Sequence, residues 1–436
     1  MHRVQPIVES SPIMALDHEA GAAPGTERTT CAIVGGGPAG LVLGLLLARA
    51  GVEVTVVEKH ADFLRDFRGD TVHPTTLDLL DDLGLFDKFD ALPQSRVTSV
   101  SVPRSDGGQV IIADFSRLPL RHPYIAMVPQ WDLLNLLAEA AAREPMFTLL
   151  MEYTVTGVIR DSDRVSGVNY DSPAGPGRLL ADLTVACDGR GSIVTESIGL
   201  PAQQFRVEFD VWWYRIPTHQ EKRESLVPRV GGGQAAIVIP RDGYLQIAAL
   251  IPKGSDAVRR ARGIDAFRAE AASLLPDLAE GISAIRSMDE VKHLSVRVDR
   301  LRRWHAQGVL CIGDAAHAMS PVGGVGINLA VQDAVATARI LAEPLQHGTL
   351  RRANGTRILA RVRRRRALPV VLIQSLQRVV HARLIMPALN EGATGPPRLL
   401  LNIIGHLPPV TVIPAAVIGV GPRPEKVPAW ACRPPG

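Results

Sequence analysis

Short apolar runs that stop abruptly at glycine or an acid punctuate this chain. CAIV (residues 31–34), VEVTVVE (52–58), TVAC (184–187) and VLCI (309–312) each read as a strand. A helical pattern follows each one. LVLGLLLARAG (41–51) closes at Gly51, and TTLDLLDDLGL (75–85) stops at a glycine. A helix led by Ser192 and the stretch INLAVQDAVATARILAEPL (327–345) complete the set. Two regions differ. Roughly over 97–121 and again over 201–299, apolar and polar residues alternate as in antiparallel strands, most clearly in VWWYRIP (211–217) and AAIVIPRDGYLQIAALIPKG (235–254), with Asp242-Gly243 as a hairpin turn. A polar-faced helical segment interrupts the second region near 258–286. After residue 346 the pattern predicts further helices, interrupted by Pro369, Pro387 and the Gly/Pro-rich stretch 392–397. There is no internal repeat.

The first strand–helix–strand unit carries a specific spacing. Gly35, Gly37 and Gly40 form G-x-G-x-x-G between the strand and the helix, and Glu58 ends the second strand. Gly35 permits the sharp turn, Gly37 lets a pyrophosphate approach the backbone, and Gly40 lets the helix pack on the strand. The start of the helix offers free N–H groups and a partial positive charge to phosphates. A carboxylate at position 58 suits ribose hydroxyls, which points to NAD or FAD as the resident nucleotide.

Two later stretches extend the site. TVACDGRGS brings Asp188-Gly189 to the end of a strand, and GVLCIGD does the same for Gly313-Asp314. Open α/β sheets bind ligands at such strand ends. GDAAHAMSPVGGVGIN (313–328) then starts a helix almost without side chains. A second bare helix start suits a flat ring system that becomes anionic on reduction, which a flavin has and NAD does not.

Composition narrows the class without changing this picture. The chain has 436 residues, 46% hydrophobic and 21% charged, with a net charge of +4 from 48 basic and 44 acidic side chains. That is an ordinary globular balance of about two domains, and it gives no reason to expect nucleic acid as a partner. Residues 1–28 lack an apolar core and read as a flexible extension, not a secretory signal. The tract 399–421 is apolar but broken by His406, Pro408, Pro409 and Pro414; it predicts packing on the body and leaves room for peripheral contact with a membrane. RVRRRRAL (361–368) reads as the solvated side of a helix. Cys31, Cys187, Cys311 and Cys432 have no metal-ligand spacing. The first three lie in apolar runs, as expected of buried thiols in the reducing cytoplasm, and no metal is expected.

Together GGGPAGLVLGLLLARAG…VVEKH, VACDGRGS and GDAAHAMSPVGGVGINLAVQDA resemble the single-component, FAD-dependent aromatic hydroxylases, the p-hydroxybenzoate hydroxylase-like flavoprotein monooxygenases. The resemblance spans roughly residues 29–345 and implies an α/β fold. A Rossmann-like FAD-binding domain (GR2-type; 29–96, 122–200, 300–345) would be interleaved with an antiparallel β-sheet substrate domain (97–121, 201–299) and followed by a C-terminal helical region (346–436). It implies that Gly35, Gly37 and Gly40 cradle the FAD pyrophosphate and that Glu58 holds the adenosine ribose. Arg68 would lie near the flavin phosphates and ring, and Gln130 would contact the ribityl chain. Val155 would meet adenine through its backbone, and Asp314 would bond the ribityl hydroxyls. Pro321 and residues 323–328, with Gly324, Gly326 and Asn328 among them, would line the isoalloxazine. Asp188 and Gly189 match a motif associated with FAD and NAD(P)H. Two departures stand out: Thr195 replaces the arginine that ends D-G-x-x-S-x-x-R, and Val325 replaces the glutamine of G-G-Q-G.

The activity implied is a monooxygenation. NADPH or NADH reduces FAD, and dioxygen adds to it. The resulting hydroperoxide passes one oxygen atom to a small aromatic or hydrophobic polycyclic substrate. No Ser/His/Asp or Cys/His arrangement is evident, as expected where a flavin carries the chemistry. His317 and His73 read as structural. Trp212, Trp213, Tyr214 and Gln246 invite assignment as substrate contacts, but alternate residues of a strand face opposite sides, so core packing is the ordinary role for any one of them. WWYRIP nearly matches the W-x-W-x-I-P signature of flavin halogenases, against which the hydroxylase form of the 313–328 loop argues. An FAD-dependent reductase of the geranylgeranyl type and a non-catalytic FAD-binding protein are the alternatives on the same fold.

Overall fold

The computed structural model describes residues 26–64, 71–103, 108–218, 225–241, 243–352, 354–389 and 408–434. Arg68, Asp242 and the stretch 392–397 lie outside the described residues.

Thr26–Val34 runs through the middle of an eight-stranded sheet. It pairs in parallel with Val54–Glu58 on one side and Gly175–Ala186 on the other. Phe147–Met151 and Val309–Cys311 extend the parallel set outward. Arg164–Ser172, Thr154–Asp161 and His305–Ala306 add antiparallel strands. All five residues of VTVVE are buried, as expected of a strand covered on both faces. Helix Pro38–Arg49 buries Leu41, Leu43, Leu45, Leu46 and Leu47 completely. Each is worth about 1.5–3 kcal/mol relative to an exposed side chain. That burial seats the helix between the sheet and the long helix Gly326–Gln346. Among the described residues, Val322–Gln346 alone is long and apolar enough to cross a membrane, and 83% of its apolar window is buried in the fold.

The second sheet has seven strands, from Lys292–Leu294 through Phe209–Pro217, Tyr244–Pro252, Gln234–Pro240, Ser225–Gly231 and Ser99–Pro103 to Gln109–Asp114. It corrects the antiparallel expectation at one junction, because Ser225–Gly231 and Ser99–Pro103 pair in parallel. These strands come from separate excursions of the chain, so no hairpin turn constrains their direction. Along Phe209–Pro217 the side chains alternate. Trp212, Tyr214 and Ile216 pack with Phe267 of helix Gly263–Leu274 on the outer face. Phe209, Val211 and Trp213 pack on the inner face with Ile237, Leu250, Val322 and Ile385.

The C-terminal region departs from expectation twice. Helix Gly355–Val380 runs straight through Pro369 instead of ending there. Proline removes one N–H and leaves the carbonyl of Arg365 without its helical donor; the Arg423 guanidinium donates to that oxygen at 3.4 Å. The basic run 361–368 is not a solvated face throughout. Arg366 is buried against Asp333, and Arg365 makes a two-pronged pair with Glu425, because the long helix and the C-terminal segment supply carboxylates on that side. Pro387 lies inside the short helix Met386–Leu389, directly after a wider turn at His381–Ile385.

Candidate functional site

Neighbouring parallel strands end together, and short backbone bonds lock their ends in step. Gly35 N–H donates to Val57 O (2.8 Å), Cys187 N–H to Val34 O (2.8 Å), and Ile312 N–H to Ala186 O (3.1 Å). The segments beginning at Gly35, Asp188 and Gly313 therefore lie side by side with the end of Val54–Glu58, although they are far apart in sequence.

The first turn is built as its spacing requires. Gly35 has φ +104°, and a Cβ there would sit 2.6 Å from Cys187 O. A Cβ on Gly40 would sit 2.0 Å from Gly35 O, so helix and turn touch backbone to backbone. At Gly37, which precedes helix Pro38–Arg49, a Cβ would meet nothing within 4 Å, and no side chain caps the helix. The Glu58 carboxylate accepts from the N–H groups of Gly36 (2.8 Å) and His60 (3.1 Å), which holds it beside the turn. Tyr153 N–H donates to Glu58 O at 2.9 Å, bringing the start of Thr154–Asp161, with the buried Val155, to the same edge.

Asp188 follows the strand Gly175–Ala186. Burial raises its carboxyl above the usual range, against the opposing pull of the Ser192 hydroxyl and the N–H groups of Val194 and Ile193. Gly313 has φ +58°, and a Cβ there would sit 3.3 Å from Ala330 Cβ of the long helix and 3.4 Å from Ala39 Cβ of the first helix. Asp314 pairs with Arg190 of the DGRGS stretch at 3.1 Å, each side chain about one-third exposed. Thr195, standing where the family pattern has arginine, donates to Ala315 O at 3.3 Å and so braces the turn carrying Asp314. Arg190 is a residue that the sequence reading passed over; its place inside DGRGS was the available signal.

Residues 321–328 form the second bare helix start. A Cβ on Gly326 would meet nothing within 4 Å, and no side chain caps helix Gly326–Gln346. Pro321 precedes a single turn, Val322–Gly324, and Gly324 has φ +63°. The Gly324 carbonyl accepts from the Thr71 hydroxyl and from His73 Nε2, both at 3.0 Å. Asn328 is nearly buried. Its side-chain oxygen accepts from Thr75 (2.9 Å) and Thr76 (2.8 Å), which ties helix Pro74–Asp82 to this loop. Gln130, half-buried, opens helix Gln130–Ala141 just after Ile125–Met127, the strand that pairs with Thr71–Val72.

His73 is fully buried, and burial holds its imidazole down at about 4 against an ordinary 6.5. Between those values the unfolded chain takes up a proton that the folded chain refuses. Stability therefore falls as pH drops from about 6.5 toward 4, by about 3 kcal/mol for this group alone. His381, bonded to the Ser320 hydroxyl at 2.9 Å and likewise held down at about 4 by burial, adds to the same slope. Urea titrations across that pH range check this; a flat profile contradicts it. The thiols of Cys31, Cys187 and Cys311 are pushed up by burial, Cys311 to about 12, which leaves them inert.

The residues present fit a dinucleotide. Two uncapped helix starts offer N–H groups, open space lies over Gly37 and Gly326 where side chains would intrude, and the carboxylates of Glu58 and Asp314 stand at or just beyond strand ends. A parallel sheet with this glycine turn, a second glycine-led helix and a separate covering sheet defines the flavin-dinucleotide class of α/β proteins. Residues 28–367 match the FAD binding domain family, and the chain belongs to it. It is similar to 6-methylpretetramide 4-monooxygenase of Streptomyces rimosus, with 33% identity over 327 residues covering 74% of this chain and 77% of the relative. The 12-dehydrotetracycline 5-monooxygenase/anhydrotetracycline 6-monooxygenase of Streptomyces rimosus subsp. rimosus is 31% identical over 323 residues, 71% of this chain and 61% of that protein. Among solved structures, OxyS anhydrotetracycline hydroxylase from Streptomyces rimosus shares the fold, with a TM-score of 0.70 at 24% identity over 90% of this chain and 76% of that one. The chain is an FAD-dependent oxidoreductase of the monooxygenase type, and these relatives favour that reading over the double-bond reductase.

Proposed function

We propose that this monooxygenase, with NADPH or NADH as transient electron donor, inserts one oxygen atom into a polycyclic aromatic substrate held between the 321–326 loop and the inner face of the seven-stranded sheet. One observation carries the reading: Val322 of the glycine loop packs in the same apolar cluster as Phe209, Val211 and Trp213 of that face. The cofactor-side loop and an apolar wall thus adjoin. FAD supplies the activation of dioxygen and its one-atom transfer when bound.

In this reading Gly35, Gly37 and Gly40 hold the pyrophosphate, Glu58 takes the adenosine ribose, and the Val155 backbone meets adenine. Asp314 and Gln130 orient the ribityl chain. Pro321, Gly324, Gly326 and the backbone at Asn328 line the ring, and Asp188 and Gly189 serve the FAD and NAD(P)H side of the site. Arg68 keeps its proposed role near the ring. The chain divides into an FAD domain (29–96, 122–200, 300–345), a substrate domain (97–121, 201–299) and a C-terminal region (346–436). The sheet face and its loop exclude bulk water, which protects a reactive oxygen species from decay. Substrate selection falls to the inner face, where Trp213 presents a buried indole N–H without a partner among the described residues. A flat apolar body with a hydrogen-bond acceptor at its edge fits that wall; the relatives are named for 6-methylpretetramide, 12-dehydrotetracycline and anhydrotetracycline.

The test is direct. The purified protein should show a flavin spectrum, and polycyclic phenols should stimulate NAD(P)H oxidation with matching oxygen uptake. One labelled oxygen atom from dioxygen should appear in the product. Turnover unaffected by removing oxygen would overturn the reading in favour of the reductase.

A further inference from the structure

Behind the turn that carries Asp314 lies a chain of buried charges that the cofactor motifs do not account for. Asp333, on the long helix, is fully buried. One of its oxygens accepts from Gly313 N–H (3.2 Å) and meets His317 Nε2 (2.5 Å), so a single atom holds both sides of the turn around Asp314. The other accepts from Arg366 Nε at 2.9 Å. Arg366, 1% exposed, reaches onward to the Arg423 carbonyl (3.2 Å) and to Glu425 (3.7 Å). Glu425, 4% exposed, takes Arg365 through two bonds of 2.6 and 2.7 Å, and its own N–H donates to the Gln332 side chain, one residue before Asp333.

We infer that the C-terminal segment 421–425 is a positioning element of the cofactor site, with Glu425 and Arg366 setting the Asp333 carboxylate and, through it, the Gly313–Asp314 turn. Asp333 and Glu425 both face the buried Arg366, and the partly exposed Arg365 and Arg339 also reach Glu425, at 2.6 and 3.8 Å. Removing the charge of Glu425 strips the buried Arg366 of its second carboxylate and leaves it on Asp333 alone, and such a group relaxes by moving toward water or by reorienting its remaining charged partner. The remaining partner of Arg366 is Asp333, so the relaxation reaches Gly313. The effect should therefore appear in cofactor affinity, not only in stability.

Apoprotein titrated with FAD, followed by flavin fluorescence, separates the two. Glu425→Gln should raise the FAD Kd about tenfold, which corresponds to about 1.4 kcal/mol. The control is Asp210→Asn. Asp210 is equally buried in the seven-stranded sheet and holds Lys253, Gly254 N–H and Val296 N–H. That variant should lower Tm comparably and leave the FAD Kd within about twofold of wild type. Equal Kd values in both variants would overturn the inference and make the segment a mere cover. If Glu425→Gln gives no soluble protein, Arg365→Met decides, because that side chain is 32% exposed and its loss is milder; about threefold weaker binding supports the inference and unchanged binding overturns it. The inference rests on FAD as the cofactor; a wild-type apoprotein that takes up no FAD would sink that assignment instead, so the two failures are distinguishable.

Discussion

Gly40→Ala is expected to lower the protein's stability by about 3 kcal/mol and to weaken FAD retention, whereas Gly37→Leu should fold with near-normal stability and lose only the cofactor. The two glycines stand three residues apart in one motif, and their surroundings are opposite. An added Cβ at Gly40 would lie 2.0 Å from the Gly35 carbonyl oxygen, with Ile33 close behind. Neither the helix nor the turn can yield separately, because Gly35 is itself pressed against Cys187 and Asp188. Overpacking typically costs about 1–3 kcal/mol and occasionally more; rigid backbone on both sides puts this site at the top of that range. Gly37 has an extended backbone (φ −76°, ψ −176°) open to any residue, and only empty space surrounds its missing side chain. Leucine there would occupy the approach to the helix N-terminus. Thermal melts and the ratio of flavin to protein absorbance read the two outcomes. A Gly37→Leu protein with full flavin content would mean that the pyrophosphate lies elsewhere.

Asp333→Asn is expected to destabilise the protein by about 3–5 kcal/mol, the range for breaking a buried ion pair by removing one partner. Against a typical stability of about 5–15 kcal/mol, that is a large fraction. Arg366 would remain fully buried, with only the more distant Glu425 opposite it. The double variant Asp333→Asn/Arg366→Met should lose clearly less than the sum of the two single changes, since no lone charge remains. Acid sensitivity gives a second check. Burial pushes the Asp333 carboxyl up, but His317 and Arg366 together hold it below the usual carboxylate range. Its contribution is thus present above the unfolded value of about 3.9 and is lost as pH falls through the lower folded value. In the Asn variant that part of the acid unfolding curve should flatten. Denaturant titrations at neutral and acid pH measure both effects, and simple additivity of the two changes would refute the coupling.

The strand–helix–strand core was legible because it is local. Glycines set the turns, the β-branched run ending at Glu58 can only be a covered strand, and the helix starting at Pro38 closes just before Gly51, whose φ is +77°. The glycine spacing likewise announced a close approach of helix and turn, and the Gly35–Gly40 contact shows it. Other features were illegible because they depend on partners far away in sequence. RVRRRRAL has the composition of a solvated face, and nothing within it distinguishes Arg366 from its neighbours. Only the arrival of Asp333 and Glu425 on one side of the helix turns two of those arginines inward. The parallel junction of Ser225–Gly231 with Ser99–Pro103 joins two excursions of the chain, and strand patterning carries no record of direction across such a gap. Alternation along VWWYRIP announced that Trp212 and Trp213 face opposite ways, but not which of them looks toward the 321–326 loop.

What the amino-acid sequence determined by itself was the set of short-range geometries: where strands stop, which helix starts stay bare, and which acids end their strands. Periodicity and glycine placement act over a few residues, so they can be read along the chain. What only the tertiary structure decided was the pairing of charges and the facing of surfaces, from Arg190 on Asp314 to Glu425 behind Asp333. A buried charge is tolerated only where an opposite charge meets it, and that partner is set by how the chain closes on itself, not by its neighbours in sequence.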